Sequence, residues 1–125
     1  MDKEFSVEHR EDHIRIELGP DFEVKPEYED AFWQRLGDAC QKYDTRRVLV
    51  EGFVPNGERT TDEIISAGRR TSAIPHLWLA FHLENFERNE QSELYEVIAA
   101  SSGVRVKFFS DAENALRWLR ANTPK

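Results

Sequence analysis

The chain has one cysteine, Cys40, in 125 residues. That excludes an intrachain disulfide framework and fits a reducing compartment. No run approaches the ~20 apolar residues of a membrane span. The opening Met1-Asp2-Lys3-Glu4 carries charge instead of the apolar segment of a signal peptide. A cytoplasmic protein is expected on these grounds. Basic residues are outnumbered: 17 Lys and Arg against 24 Asp and Glu give a formal charge of −7. Such a balance lacks the cationic footprint that nucleic acid or an anionic membrane surface rewards. The six glycines form no phosphate loop, and no serine sits in a Gly-x-Ser-x-Gly elbow. Two histidines on one strand face, His76 and His82, are six residues and so about 20 Å apart, too far for one metal. His9 and His13 flank a turn with no Cys or carboxylate spacing to complete a ligand set. No metal, no cofactor and no catalytic residue is expected.

What remains is an ordinary globular composition, 39% apolar with 11% aromatic residues. One domain with a sizeable core follows from that length. Phe5 and Val7, then Ile14, Ile16 and Leu18, alternate with polar neighbours. They predict a hairpin of half-exposed strands turning at Arg10-Glu11-Asp12-His13, without an Asn-Gly or Asp-Gly turn to fix its register. Pro26 opens a helix to about Tyr43, with Tyr28, Phe32, Leu36, Ala39, Cys40 and Tyr43 on one stripe and Trp33 beside it. Arg47–Glu51 reads as a central strand covered on both faces, left by Gly52 and the long loop Phe53-Val54-Pro55-Asn56-Gly57-Glu58-Arg59.

Thr60 or Thr61 caps the next helix, whose apolar face is thin: Ile64, Ile65, Gly68, Ser72. A mid-helix glycine costs about 1 kcal/mol relative to alanine, so Gly68 implies close approach of this helix to the sheet or a ligand. His76–Leu83 reads as a strand with Leu77, Leu79, Phe81 and Leu83 on one face and His76, Trp78, Ala80 and His82 on the other. A helix with Leu94, Tyr95, Val97, Ile98 and Ser101 follows, stopped by Gly103. Val104–Phe109 is an edge strand with Arg105 and Lys107 outward, and Ser110-Asp111-Ala112-Glu113 is a capping box for a last helix on Ala112, Ala115, Leu116 and Leu119. The order ββαβαβαβα predicts an α/β fold: a single mixed, mostly parallel sheet with an N-terminal antiparallel hairpin and about four helices.

Three stretches carry a resemblance. They are Ile14-Arg15-Ile16-Glu17-Leu18-Gly19-Pro20, the strand Arg47-Val48-Leu49-Val50-Glu51-Gly52, and Val104 to Leu119 with its Asp111 turn and Ala115-Leu116-Arg117-Trp118-Leu119 helix. Together with the element order they resemble the SpoIIAA-like branch of the STAS superfamily, which contains anti-sigma-factor antagonists and shares a fold with CRAL-TRIO lipid-binding domains. The resemblance implies a single STAS/SpoIIAA-like domain over residues 1–125 acting as a regulatory protein-interaction module. In the antagonists a hydroxyl after the strand equivalent to Val48–Glu51 is phosphorylated. Here Gly52-Phe53-Val54-Pro55 stands there instead, and hydroxyls occur only at Thr60 and Thr61.

Any site is therefore expected between Gly52 and Glu63, beyond the carboxyl end of the central strand. Arg59, Thr60 and Thr61 at a helix N-terminus suit an anion or a phosphothreonine, against the ordinary reading of a plain cap. Phe53, Val54 and Trp78 are the candidate partner or ligand surface, against the ordinary reading of core packing. Cys40 reads as a buried, inert thiol. Two functions stand: a non-catalytic protein-interaction module, or a carrier or sensor of a small apolar, lipid-like ligand held beneath the Thr61–Ser72 helix. A homodimer through the Val104–Phe109 edge or the aromatics near Trp33 is left open.

Overall fold

A computed structural model describes residues 5–10, 12–19, 26–53, 60–71, 74, 76–84, 90–101 and 103–122, with the backbone alone at 26–29, 53, 91 and 122. Its elements run β1 (Phe5–Arg10), β2 (His13–Leu18), α1 (Pro26–Tyr43), β3 (Arg47–Phe53), α2 (Thr61–Thr71), β4 (Trp78–Glu84), α3 (Glu90–Ser101), β5 (Arg105–Phe109) and α4 (Ala112–Asn122). The five strands form one sheet in the order β1-β2-β3-β4-β5. The β1–β2 pair is antiparallel and the other three pairs are parallel, so this is the mixed α/β fold the periodicities predict.

Because each parallel strand is laid down beside its predecessor, right-handed crossovers return every connecting helix to the same face. That face carries the main core: Ile14, Ile16, Val48, Val50 and Leu79 beneath Phe32, Leu36 and Cys40 of α1, Ile64 and Ala67 of α2, and Tyr95 and Ala99 of α3. Among the described residues the second face carries one helix, α4, which packs over β3, β4 and β5. Leu119 and Ala115 pack there on Leu49 and Ala80, bordered by Trp78, Phe109 and Trp118. Thus Val48-Leu49-Val50 is covered on both faces, as a short apolar run in a central strand requires.

Local details depart from the sequence expectations in instructive ways. The hairpin register pairs Arg10 with His13, the two ends of the expected turn, and so supplies the register that the sequence left open. The strand β4 begins at Trp78, and His76 precedes it at φ 62, so His76 does not share a strand face with His82. Helix α2 buries Ile64, Ala67, Gly68 and Thr71, not Ile65, and it does so against α3. A Cβ on Gly68 would lie 2.4 Å from Ile98 Cγ2. Gly68 thus admits a neighbouring helix, where the sequence pointed to the sheet or a ligand. Tyr95 donates its hydroxyl to Thr71 Oγ1 (2.6 Å), which donates to the Ala67 carbonyl (2.8 Å) and closes the same seam. On α3 the buried set is Ser92, Tyr95 and Ala99, while Val97 is 64% exposed. At α4 the cap is Asp111, not Ser110: its Oδ1 accepts from the Asn114 amide at 2.8 Å. Gly103 ends α3 at φ 86, with the Val104 amide returning to the Ala99 carbonyl. Among the described residues no helix is long and apolar enough to cross a membrane.

Candidate functional site

On the second face α4 packs on β3, β4 and β5, and among the described residues no helix covers β1 and β2 there. A cleft of about 490 Å³ opens at this place, at the carboxyl ends of β2, β3 and β4. Ser6, Arg15, Glu17, Glu51, His82 and Glu84 give it its polar groups. Strand register explains why they meet. Ser6 pairs with Glu17, Glu17 with Glu51 and Glu51 with His82, so one row of side chains crosses four strands on one face. Arg15, two positions back on β2, reaches forward into that row.

The centre of the row is bonded together. Arg15 donates from Nε to Glu51 Oε1 at 2.6 Å, and His82 Nδ1 lies 3.0 Å from Glu51 Oε2. Burial disfavours the Glu51 carboxylate, but the hydrogen bonds from His82 and Arg15 outweigh it and hold the carboxyl below the ordinary glutamate range. In return, the bond to Glu51 raises the Arg15 guanidinium above its usual value against the opposing effect of burial. An ionised carboxylate only accepts, so Nδ1 of His82 is the donor in this bond. A carboxylate-held imidazole of this kind can serve as a base or as a recognition acceptor. The hydroxyl in the row, on Ser6, is three strands from His82, about 14 Å at the usual strand spacing, which is far beyond proton transfer. Among the described residues no three His, Cys, Asp or Glu side chains are grouped to hold a metal.

A second polar cluster lies at the opposite ends of the strands. Asp12, in the hairpin turn, accepts from Arg120 Nε at 2.7 Å and from His13 at 2.9 Å, and Arg47 approaches to 3.7 Å. The Arg120 bond leads the causes that hold the Asp12 carboxyl far below the ordinary range. This cluster ties the end of α4 to the hairpin.

Of the residues expected to form a site, Thr60, Thr61 and Trp78 are described, and Trp78 stands apart from the two threonines. Thr60 is a cap in a full capping box: its Oγ1 accepts from the Glu63 amide at 3.1 Å, and Glu63 Oε1 accepts from the Thr60 amide at 2.9 Å. Thr61 is exposed at the start of α2, on the helical face of the sheet. Trp78 packs on Trp118 with ring centroids 5.2 Å apart. Its register partner is Arg47, six positions from Phe53 and so about 20 Å along β3. The Phe53 side chain, Val54 and Arg59 lie outside the described residues. Cys40 is buried, and burial pushes its thiol up to about 11, in keeping with an inert thiol. Only Gly52 of the expected Gly52–Glu63 segment borders the cleft among the described residues, and its other lining residues come from β1, β2, β3 and β4 and the Gly19 that follows β2. Sequence reasoning missed Arg15, Glu17, Glu51, His82 and Glu84.

No family model, no curated protein and no solved structure matches this chain. Its class rests on the fold itself, an α/β arrangement in which, among the described residues, a five-stranded sheet carries three helices on one face and one on the other.

Proposed function

We propose that this chain is a non-catalytic regulatory protein-interaction module, of the STAS/SpoIIAA-like kind its sequence resembles, and that the cleft on the single-helix face is its recognition site. The observation that carries this reading is the Arg15–Glu51–His82 network on the cleft floor. It presents fixed charge and hydrogen-bonding groups to an open surface, yet the Ser6 hydroxyl is out of reach of the imidazole. Recognition surfaces at the carboxyl ends of parallel strands are the usual use of such a place. The rival reading, a carrier of an apolar ligand beneath α2, has less behind it. The α2–α3 seam is closed by Gly68 against Ile98, and the cleft floor is charged, which an apolar ligand would have to desolvate.

The test is to fill the cleft. Ser6 is exposed on β1, so Ser6→Trp should leave folding intact and abolish binding of the cellular partner, while Val97→Trp on the outer face of α3 should not. Equal binding by both variants would refute the assignment of the cleft. A transfer or hydrolytic activity that disappears in His82→Ala with the fold retained would refute the non-catalytic part.

A further inference from the structure

Resting on the reading of the cleft as a recognition site, we propose that the group it receives is a cationic side chain, lysine or arginine, of a partner protein. Among the described residues the cleft is lined by three carboxylates, Glu17, Glu51 and Glu84, and by one guanidinium, that of Arg15. That guanidinium is already hydrogen-bonded through Nε and one terminal nitrogen. Nε bonds Glu51 at 2.6 Å, one terminal nitrogen is 3.4 Å from Glu8, and the other is 3.6 Å from Glu17. An incoming anion would have to displace these carboxylates from Arg15 and then lie beside them.

A cation meets the opposite situation. Glu51 is satisfied by Arg15 and His82. Glu17 is 57% exposed and engaged only at the long 3.6 Å distance, and Glu84 has no ion-pair partner among the described residues. Both stand on the rim, where they can turn to an ammonium or guanidinium without breaking the floor. The surrounding field has the same sign, since the chain carries −7, which raises the encounter rate with a basic partner and makes it salt-dependent. A volume of about 490 Å³ admits the side chain together with its flanking backbone.

The experiment is an amide chemical-shift titration of the intact chain with three separate probes: N-acetyl-arginine amide, N-acetyl-glutamate amide and inorganic phosphate. The arginine probe should move the amides of Gly19, Gly52 and Glu84, weaken as salt rises, and bind about three- to tenfold more weakly to the Glu17→Gln/Glu84→Gln double variant. The inference is overturned if phosphate or the glutamate probe moves those amides in its place. It is equally overturned if the double variant binds the arginine probe as well as the parent, or if none of the probes moves them. A photo-crosslinker at position 19, which borders the cleft and leaves its carboxylates in place, separates this failure from that of the cleft itself. A partner captured there through a segment without Lys or Arg sinks the cationic chemistry and leaves the recognition site standing. A partner captured only from other faces sinks the recognition site.

Discussion

Replacing Gly68 by alanine tests the packing logic of the helical face, because two effects of known size oppose each other there. At an unobstructed mid-helix position the change would stabilise by about 1 kcal/mol. At Gly68 the new Cβ would lie 2.4 Å from Ile98 Cγ2 and 3.0 Å from Ile98 Cβ. The obstacle is a branch point, so it cannot swing clear without turning a stiff β-branched χ1 or moving α3. Overpacking of this type costs about 1–3 kcal/mol, so the net expectation is a loss of up to about 2 kcal/mol where an open helix would gain. Ile98→Ala removes the closest obstructing atom, and on that background Gly68→Ala should stabilise. The double-mutant cycle should therefore show a coupling of about 1–3 kcal/mol. Urea denaturation provides the readout, with a shift in midpoint at unchanged slope. If Gly68→Ala raises the midpoint equally in the parent and in the Ile98→Ala background, the helices do not meet there and the account of the seam is wrong.

Gly52→Ala should destabilise by about 2–5 kcal/mol, because it combines positive-φ strain with a backbone obstacle. The added Cβ would stand 2.6 Å from the Leu18 carbonyl oxygen at φ 135, so Leu18→Ala should give no rescue in thermal melts. Thr60→Ala should cost about 1 kcal/mol and Thr61→Ala within about 0.5 kcal/mol, because only Thr60 caps α2; equal losses in chemical denaturation would contradict the cap assignment. Asp12 has a folded-state pKa depressed below its unfolded value, so its stabilisation is present above the unfolded value near 4 and is lost as pH falls toward the folded one. Asp12→Asn should therefore weaken the fold most near neutrality, and the two stability curves should converge below about pH 4. Curves that stay parallel to low pH would show that the Arg120 and His13 bonds carry no net stability.

How legible was all this in the chain? The elements were legible because each is a local pattern. Ile14, Ile16 and Leu18 alternate, Phe32, Leu36, Ala39 and Cys40 recur at helical spacing, and Gly103 marks a stop that the φ of 86 confirms. Helix partners were less so. The sequence offers Ile65 and Val97 as apolar as their neighbours, and only the meeting of α2 with α3 selects Ala67, Gly68 and Ala99 in their place. The cleft was least legible, because Arg15 and Glu51 are 36 positions apart and Glu51 and His82 are 31 apart. Their proximity depends on the order and register of three strands. One signal was present nonetheless. A glutamate closing an apolar central strand needs a partner when it is half-buried. The positions that could supply one, Arg15 and His82, sit opposite the core-facing residues of their own strands.

The central claim is that recognition occurs at the cleft and not on the helical face. The most direct measurement places a photo-activatable amino acid in living cells at position 19, beside the cleft, and in a parallel strain at position 97, on the outer face of α3. The account predicts one defined cross-linked species from position 19 that disappears with Ser6→Trp, and none from position 97. A defined species from position 97 with silence at position 19 would contradict it.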